Sequence, residues 1–291
     1  MNLIALILGL ALERLLHRRL QVRNHLRWLD DWFARGAGWI RAAPGMAGIW
    51  ITMVVVLLPV VPVAWVAWTF RDALAGIAYV LFAAVVLFFS LGPQDLFAQM
   101  KAWLEARERG DAAGAEAIGR AIREVGDEQW DHPTERAVEG AIFVQANHAI
   151  FGVIFWFMLL GPAGAWTYRV ADLFRRYVRA TGTGGRATET CEHLFGFITW
   201  IPARLLAFSY AVAGSFDDAF EDWRAYYQRT SASFFSVSEN ILSAAGIGAI
   251  RRRCPEGGCI SAVESARALL RRTLLIWITF IALLTLVGWS V

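Results

Sequence analysis

The chain has 291 residues, 57% of them hydrophobic, with 14 Trp and 19 Phe, and its mean hydropathy is positive, whereas soluble domains run at about 45–50% apolar. Charged residues make up 18%, against about 25% in average usage. They sit in blocks between long uncharged stretches, which argues against a soluble enzyme, while the aromatic content excludes a disordered chain and the lack of any self-similar period a repeat protein. Lys and Arg together number 28 for a formal net charge of +3, yet Lys101 is the one lysine, so arginine usage explains the basicity without a nucleic-acid partner.

A bilayer core about 30 Å thick needs roughly 20 apolar residues as helix. Residues 1–45 open with a short apolar stretch, Met1 to Leu12, then Glu13-Arg14 and the basic run His17, Arg18 and Arg19. The basic residues follow the apolar part and no small-residue cleavage site appears, so this is read as a retained interfacial helix and not a signal peptide. Residues 46–91 hold two uncharged runs, Met46 to Trp68 and Ala73 to Leu91, joined by Thr69-Phe70-Arg71-Asp72. They predict a transmembrane hairpin. Residues 92–140 alternate Ala, Glu and Arg, as from Trp103 to Arg109, and predict amphipathic helices on the membrane surface, joined at Gly110 and Gly126-Asp127.

Residues 141–214 carry a third span, Ala141 to Trp166, interrupted by Gly161-Pro162-Ala163-Gly164, then a Tyr168-Arg169 segment and the apolar run Leu194 to Gly214. Arg204 lies in the middle of that run. A mid-membrane Arg costs about 2.5–3.5 kcal/mol, and each Leu, Ile or Phe returns about 0.3–0.6 kcal/mol. The run is therefore either a span with Arg204 facing the bundle or an interfacial helix. Residues 215–272 form an amphipathic loop region that includes Arg251-Arg252-Arg253, and residues 273–291 a C-terminal span. The pattern predicts an all-α polytopic integral membrane helical bundle of four to five spans plus an N-terminal interfacial helix.

Seven arginines between Arg14 and Arg41 assign that stretch to the cytoplasm, and the hairpin returns Pro93 to Gly140 to the same side. The third span then places Tyr168 to Arg186 outside, although it holds five Arg. Either the Gly161-Pro162 break turns the segment back, or these arginines serve a site strong enough to override the bias. Trp50, Trp68, Trp166 and Trp289, near segment ends, fit an aromatic belt.

No Walker loop, dinucleotide glycine fingerprint, His-Glu-x-x-His or Gly-x-Ser-x-Gly occurs, so an anion site must be built from arginines and helix N-termini. Four groups of residues are candidates. Glu13-Arg14 ends the first apolar stretch, where the carboxylate gains nothing from an anionic lipid surface. Glu139, Gln145, Asn147 and His148 open the third span, where helix-to-helix hydrogen bonds and ligand binding account for them equally. Tyr168, Arg169 and Asp172, continued by Arg175, Arg176 and Arg179, can hold a phosphorylated or carboxylated ligand or form an ion-paired rim at the membrane surface. Arg204 follows Pro202 inside an apolar run. The acids Asp217, Asp218, Glu221 and Asp222 are read as a helix N-terminus capped by Ser215 in preference to a cation site. Cys191, Cys254 and Cys259 are too few and too odd in number for a disulfide framework, and no metal site is expected.

The run Phe151 to Arg169 and the segment Trp200-Ile201-Pro202-Ala203-Arg204-Leu205 resemble the shared core of the AmpE and CobD/CbiB families; the Glu13-Arg14 start, the length and the spacing of spans resemble AmpE in particular. That resemblance implies a multi-pass protein of the bacterial inner (cytoplasmic) membrane, regulatory and not enzymatic, without a cofactor, linked to an AmpD-type amidase and to β-lactamase induction. The polar clusters themselves predict an anionic ligand held by Glu13, Arg14, Asn147, Tyr168, Arg169, Asp172 and Arg204, and a cell-wall fragment or a nucleotide-linked precursor fits the pathway that the resemblance implies. The bilayer is the expected partner, nucleic acid is not, and oligomerisation stays open. The CobD/CbiB resemblance implies ATP-dependent amide formation on a corrinoid carboxylate. That family carries an Asn-Thr-Leu-Asp type sequence after Tyr-Arg, where this chain reads Val170-Ala171-Asp172, and an Ala-Arg-x-Asp-Asp stretch where it reads Cys191 to Phe197. The acids that would hold Mg-ATP are therefore missing, which implies a kept scaffold with altered or lost catalysis; the third alternative is a non-catalytic membrane scaffold.

Overall fold

A computed structural model describes residues 2–16, 27–43, 47–71, 76–91, 96–123, 135–182, 186–229, 237–251 and 260–287. Gly126-Asp127, Arg252, Arg253, Cys254, Cys259 and Trp289 lie outside the described residues, and so do the side chains of Glu13 and Arg14, whose backbone belongs to the first helix. Among the described residues every regular element is helical: α1 (Asn2–Leu16), α2 (Arg27–Ala42), α3 (Ala47–Leu57), α4 (Val60–Thr69), α5 (Ile77–Ser90), α6 (Leu96–Glu108), α7 (Ala112–Arg123), α8 (Glu135–Ala146), a π turn (Asn147–Phe151), α9 (Gly152–Ala180), α10 (Arg186–Ala213), α11 (Phe216–Arg229), α12 (Val237–Ile250) and α13 (Ile260–Leu286). They form two compact units, one of residues 1–93, 152–198 and 282–291, the other of residues 94–151 and 199–281.

In the first unit α9 is the central helix, packed by α1 to α5. α1 and α5 run parallel: the Tyr79 hydroxyl donates to Asn2 Oδ1 (2.8 Å) at one end, and further along Gly9 meets the Leu87 side chain. The uncharged runs are less continuous than their composition suggested. Met46 to Trp68 is two helices bent by 43° at Leu58-Pro59, because Pro59 supplies no N–H to continue the ladder. Among the described residues of the run Ala73 to Leu91, α5 has 14 residues, about 21 Å at 1.5 Å per residue. It packs along α1 and α9, so the expected hairpin partner, α3–α4, is not its main neighbour. The N-terminal stretch likewise buries Ala5 and Leu6 completely within its unit. α9 is interrupted as its sequence predicted: Gly161 has φ 66° and ψ −154°, a conformation essentially confined to glycine.

The second unit has its own apolar core, contributed by α6 to α8 and α10 to α13. Its surface helices follow the amphipathic reading. α6 ends at Gly110, φ 73°, and Asp111 caps α7 by accepting from the Gly114 N–H (2.9 Å). α8 lies antiparallel to α12, with Gly140 against Ser243 and Ile247, Phe143 against Gly246, and His148 against Glu239. In a π turn the ladder changes from i+4 to i+5, and just upstream of the change the Phe143 carbonyl accepts from the Tyr210 hydroxyl (3.0 Å). The acidic stretch opens α11 as expected, with Ser215 bonded to Asp218 and Asp222 paired with Arg251.

Among the described residues three helical stretches are long and apolar enough to cross a membrane, Ala137–Ala180, Thr188–Ala213 and Ala262–Leu286, and the bent α3–α4 pair makes a fourth if it is one span. Large apolar side chains stay exposed along them, among them Trp65 and Trp68 on α4, Ile201, Leu205 and Phe208 on α10, and Leu275 and Leu283 on α13. Such continuous apolar faces belong against lipid, not water. Trp50 and Trp68 are exposed as an aromatic belt requires, but Trp166 is buried and donates to the Pro59 carbonyl (3.2 Å) at the α3–α4 bend.

Candidate functional site

The polar cluster of the first unit centres on Asp172. Arg169, Arg175 and Arg176 stand three or four residues from it, so all project from one face of α9. Asp172 Oδ2 faces Arg169 Nη1 and Arg176 Nε, each at 2.9 Å, and Oδ1 faces Arg175 Nη2 at 3.3 Å. Arg169 and Asp172 are both 0% exposed. The surface rim expected from sequence is therefore an interior ion cluster, and its cause is the packing of α9 among five helices. Buried charges persist only when paired and hydrogen-bonded.

Long-range partners complete the arrangement. Arg169 Nε donates to the Ser90 carbonyl (2.5 Å) in the last turn of α5, where helix geometry leaves carbonyls without intrahelical donors and the dipole favours a cation. The Arg175 guanidinium lies 4.2 Å from the Phe195 ring centroid, and Arg179 Nε pairs with Glu192 (2.6 Å), so α10 holds the outer arginines. Tyr168 packs its ring near Phe195, with centroids 5.5 Å apart. Directly above the ring sits Gly152, where any Cβ would lie 2.3 Å from Tyr168 Cζ. Arg169 Nη2 is buried and meets no acceptor among the described residues.

Of the seven candidate residues, the structure brings Tyr168, Arg169 and Asp172 together. Asn147 and Arg204 belong to the second unit. There Arg204 lies over the Trp200 ring (4.3 Å) and donates from Nη1 to the Trp200 carbonyl (3.1 Å) and Ser238 Oγ (3.4 Å). His148 is buried and faces Glu239 of α12, with Nε2 3.6 Å from Oε1, a helix-to-helix contact of the kind the sequence offered. The sequence reading missed Ser90, Phe195, Ser238 and Glu239. None has a local spacing signal, since each reaches its partner from a different helix.

Among the described residues no group of three or more His, Cys, Asp and Glu is placed to hold a metal ion. The fold and the site define a helical membrane protein whose ionic chemistry lies inside its bundle. The model of one family, described as "Regulatory signalling modulator protein AmpE", matches residues 1–291, and the chain belongs to the AmpE family. It is also similar to two proteins named "Cobalamin biosynthesis protein CobD". The one from Chromobacterium violaceum is 25% identical over 223 residues, covering 72% of this chain and 67% of the relative. The one from Stutzerimonas stutzeri is 28% identical over 200 residues, covering 66% of this chain and 62% of the relative, so the chain spans roughly two thirds of these relatives' length. No solved structure matches.

Proposed function

We propose that this AmpE-family protein is a multi-pass regulator of the bacterial inner membrane, with four to five spans, that binds an anionic ligand at the Arg169–Asp172 cluster and links cell-wall recycling to β-lactamase induction. The single observation that carries the ligand reading is Arg169, fully buried, with Nε and Nη1 engaged and Nη2 facing no acceptor among the described residues. A buried donor left unmade costs about 1–3 kcal/mol, and more when charged. A carboxylate or phosphate oxygen at Nη2 recovers that cost, and a planar guanidinium fixed at two of its nitrogens is preorganised to accept it.

A wall-turnover fragment, such as an anhydromuropeptide, or a nucleotide-linked wall precursor suits both the charge and the family's functional link to an AmpD-type amidase. A second reading, an ATP-dependent amide ligase, is favoured by the names of the curated relatives and opposed by the missing acids. Thermal unfolding of the detergent-purified protein separates them, because a ligand of the folded state raises the midpoint by mass action. Stabilisation by wall fragments that disappears in Arg169→Gln is the expected result. Stabilisation by Mg-ATP with a corrinoid acid, together with ATP consumption, would establish the ligase instead. A wall-fragment shift that survives in Arg169→Gln would discard the site.

A further inference from the structure

The second unit holds a polar cluster of its own, at the first turn of α12. The antiparallel register of α8 and α12 carries Asn147 and His148 to that turn, as the His148–Glu239 approach shows, and α10 brings Arg204 to Ser238. Asn147 is 0% exposed, and neither Oδ1 nor Nδ2 has a hydrogen-bond partner among the described residues. A primary amide without partners inside a protein is costly in both its donor and its acceptor. It sits on the one π turn among the described residues, and such turns recur at functional sites because the widened ladder re-aims side chains.

The neighbouring groups define what suits Asn147. Arg204 is half-buried and its charge is held in place over the Trp200 ring by two hydrogen bonds. The first N–H groups of α12 have no intrahelical acceptor and add the positive end of the helix dipole. The negative charge of Glu239 is turned to His148. The cluster thus offers a cationic mouth at Arg204 and a buried amide at Asn147 that can both donate and accept.

We infer that this cluster is a second binding site, independent of the Arg169 cluster, for a small carboxylate carrying an adjacent amide, the chemistry of an N-acyl amino acid or a peptide carboxy terminus. The carboxylate meets Arg204 and the first turn of α12. The ligand's amide pairs with the Asn147 amide through one hydrogen bond, its N–H donating to Oδ1 or its carbonyl accepting from Nδ2, because a trans amide presents these two groups on opposite sides.

N-acetylalanine, acetate and N-methylacetamide serve as probes with the full-length protein in nanodiscs, read by calorimetric titration and thermal unfolding. N-acetylalanine is expected to bind about tenfold more tightly than acetate, the gain from satisfying one buried amide, and N-methylacetamide to bind weakest. Arg204→Gln is expected to abolish binding of both carboxylates, Asn147→Ser to make N-acetylalanine and acetate equivalent, and Arg169→Gln to change nothing. Asn147→Leu, which removes the unpaired amide at similar volume, is expected to unfold no earlier than the parent. Equal or absent binding of N-acetylalanine and acetate by the parent, or preserved discrimination in Asn147→Ser, overturns the site. So does a marked loss of stability in Asn147→Leu, which would give Asn147 a structural role.

Discussion

Asp172 is the residue on which the first unit's interior electrostatics turn. It faces three guanidiniums, so Asp172→Asn leaves buried cations around a neutral amide and is expected to destabilise the protein by about 3–5 kcal/mol. Thermal or denaturant unfolding in detergent measures the loss. A smaller but diagnostic effect is expected at Gly152, where a methyl group meets the face of Tyr168. Gly152→Ala has to displace that ring and costs about 1–3 kcal/mol as overpacking, and pairing it with Tyr168→Ala, which makes room, relieves part of the cost. Much of this cluster is legible in the sequence, because Arg169, Asp172, Arg175 and Arg176 lie at helical spacing and one helix suffices to align them. Ser90 is not legible: it reaches Arg169 across 79 positions of chain, and only the packing of α5 on α9 brings it there.

Among the elements, the breaks carry the consequences. Gly161 holds a conformation that an L side chain adopts only under strain, and a Cβ there meets the Tyr79 hydroxyl at 3.0 Å. Gly161→Ala is expected to cost about 1–3 kcal/mol, readable as a lowered unfolding midpoint; an unchanged midpoint would mean that the kink relaxes freely. The kink and the π turn divide a helical stretch of 44 residues, far more than the roughly 20 that a bilayer requires. They also bear on the conflict in the arginine count. Arg169 and Arg175 are buried on Asp172, so they are committed to the fold and not offered to lipid headgroups, where the positive-inside bias acts. Sequence composition registers all five arginines of the segment alike, because charge is local and burial is not.

For the molecule as a whole, the two units divide the ionic chemistry between them, and each is assembled from segments far apart in the chain. Both α7 and α11 belong to the second unit, and their exposed acids Glu116 and Glu221 test the cytoplasmic orientation assigned to residues 93–140 and the one that the Arg251-Arg252-Arg253 and Arg271-Arg272 runs give residues 215–272. With the native cysteines replaced, Glu116→Cys and Glu221→Cys are each expected to resist a membrane-impermeant maleimide in spheroplasts and to react in inverted vesicles. Labelling of either one from outside would reverse the proposed topology of that segment.

The sequence by itself determined the helical membrane class, the apolar stretches, the Gly161 and Gly110 interruptions and the acidic start of α11. All of these follow from periodicity, run length and backbone chemistry, which act over a few residues. Only the tertiary structure decided that Asp172 lies in the interior, that α5 pairs with α1, that Trp166 seals the Pro59 bend and that His148 meets Glu239. Each depends on which helix face another helix covers. That choice is made by the packing of side chains from distant parts of the chain, and no local pattern records it.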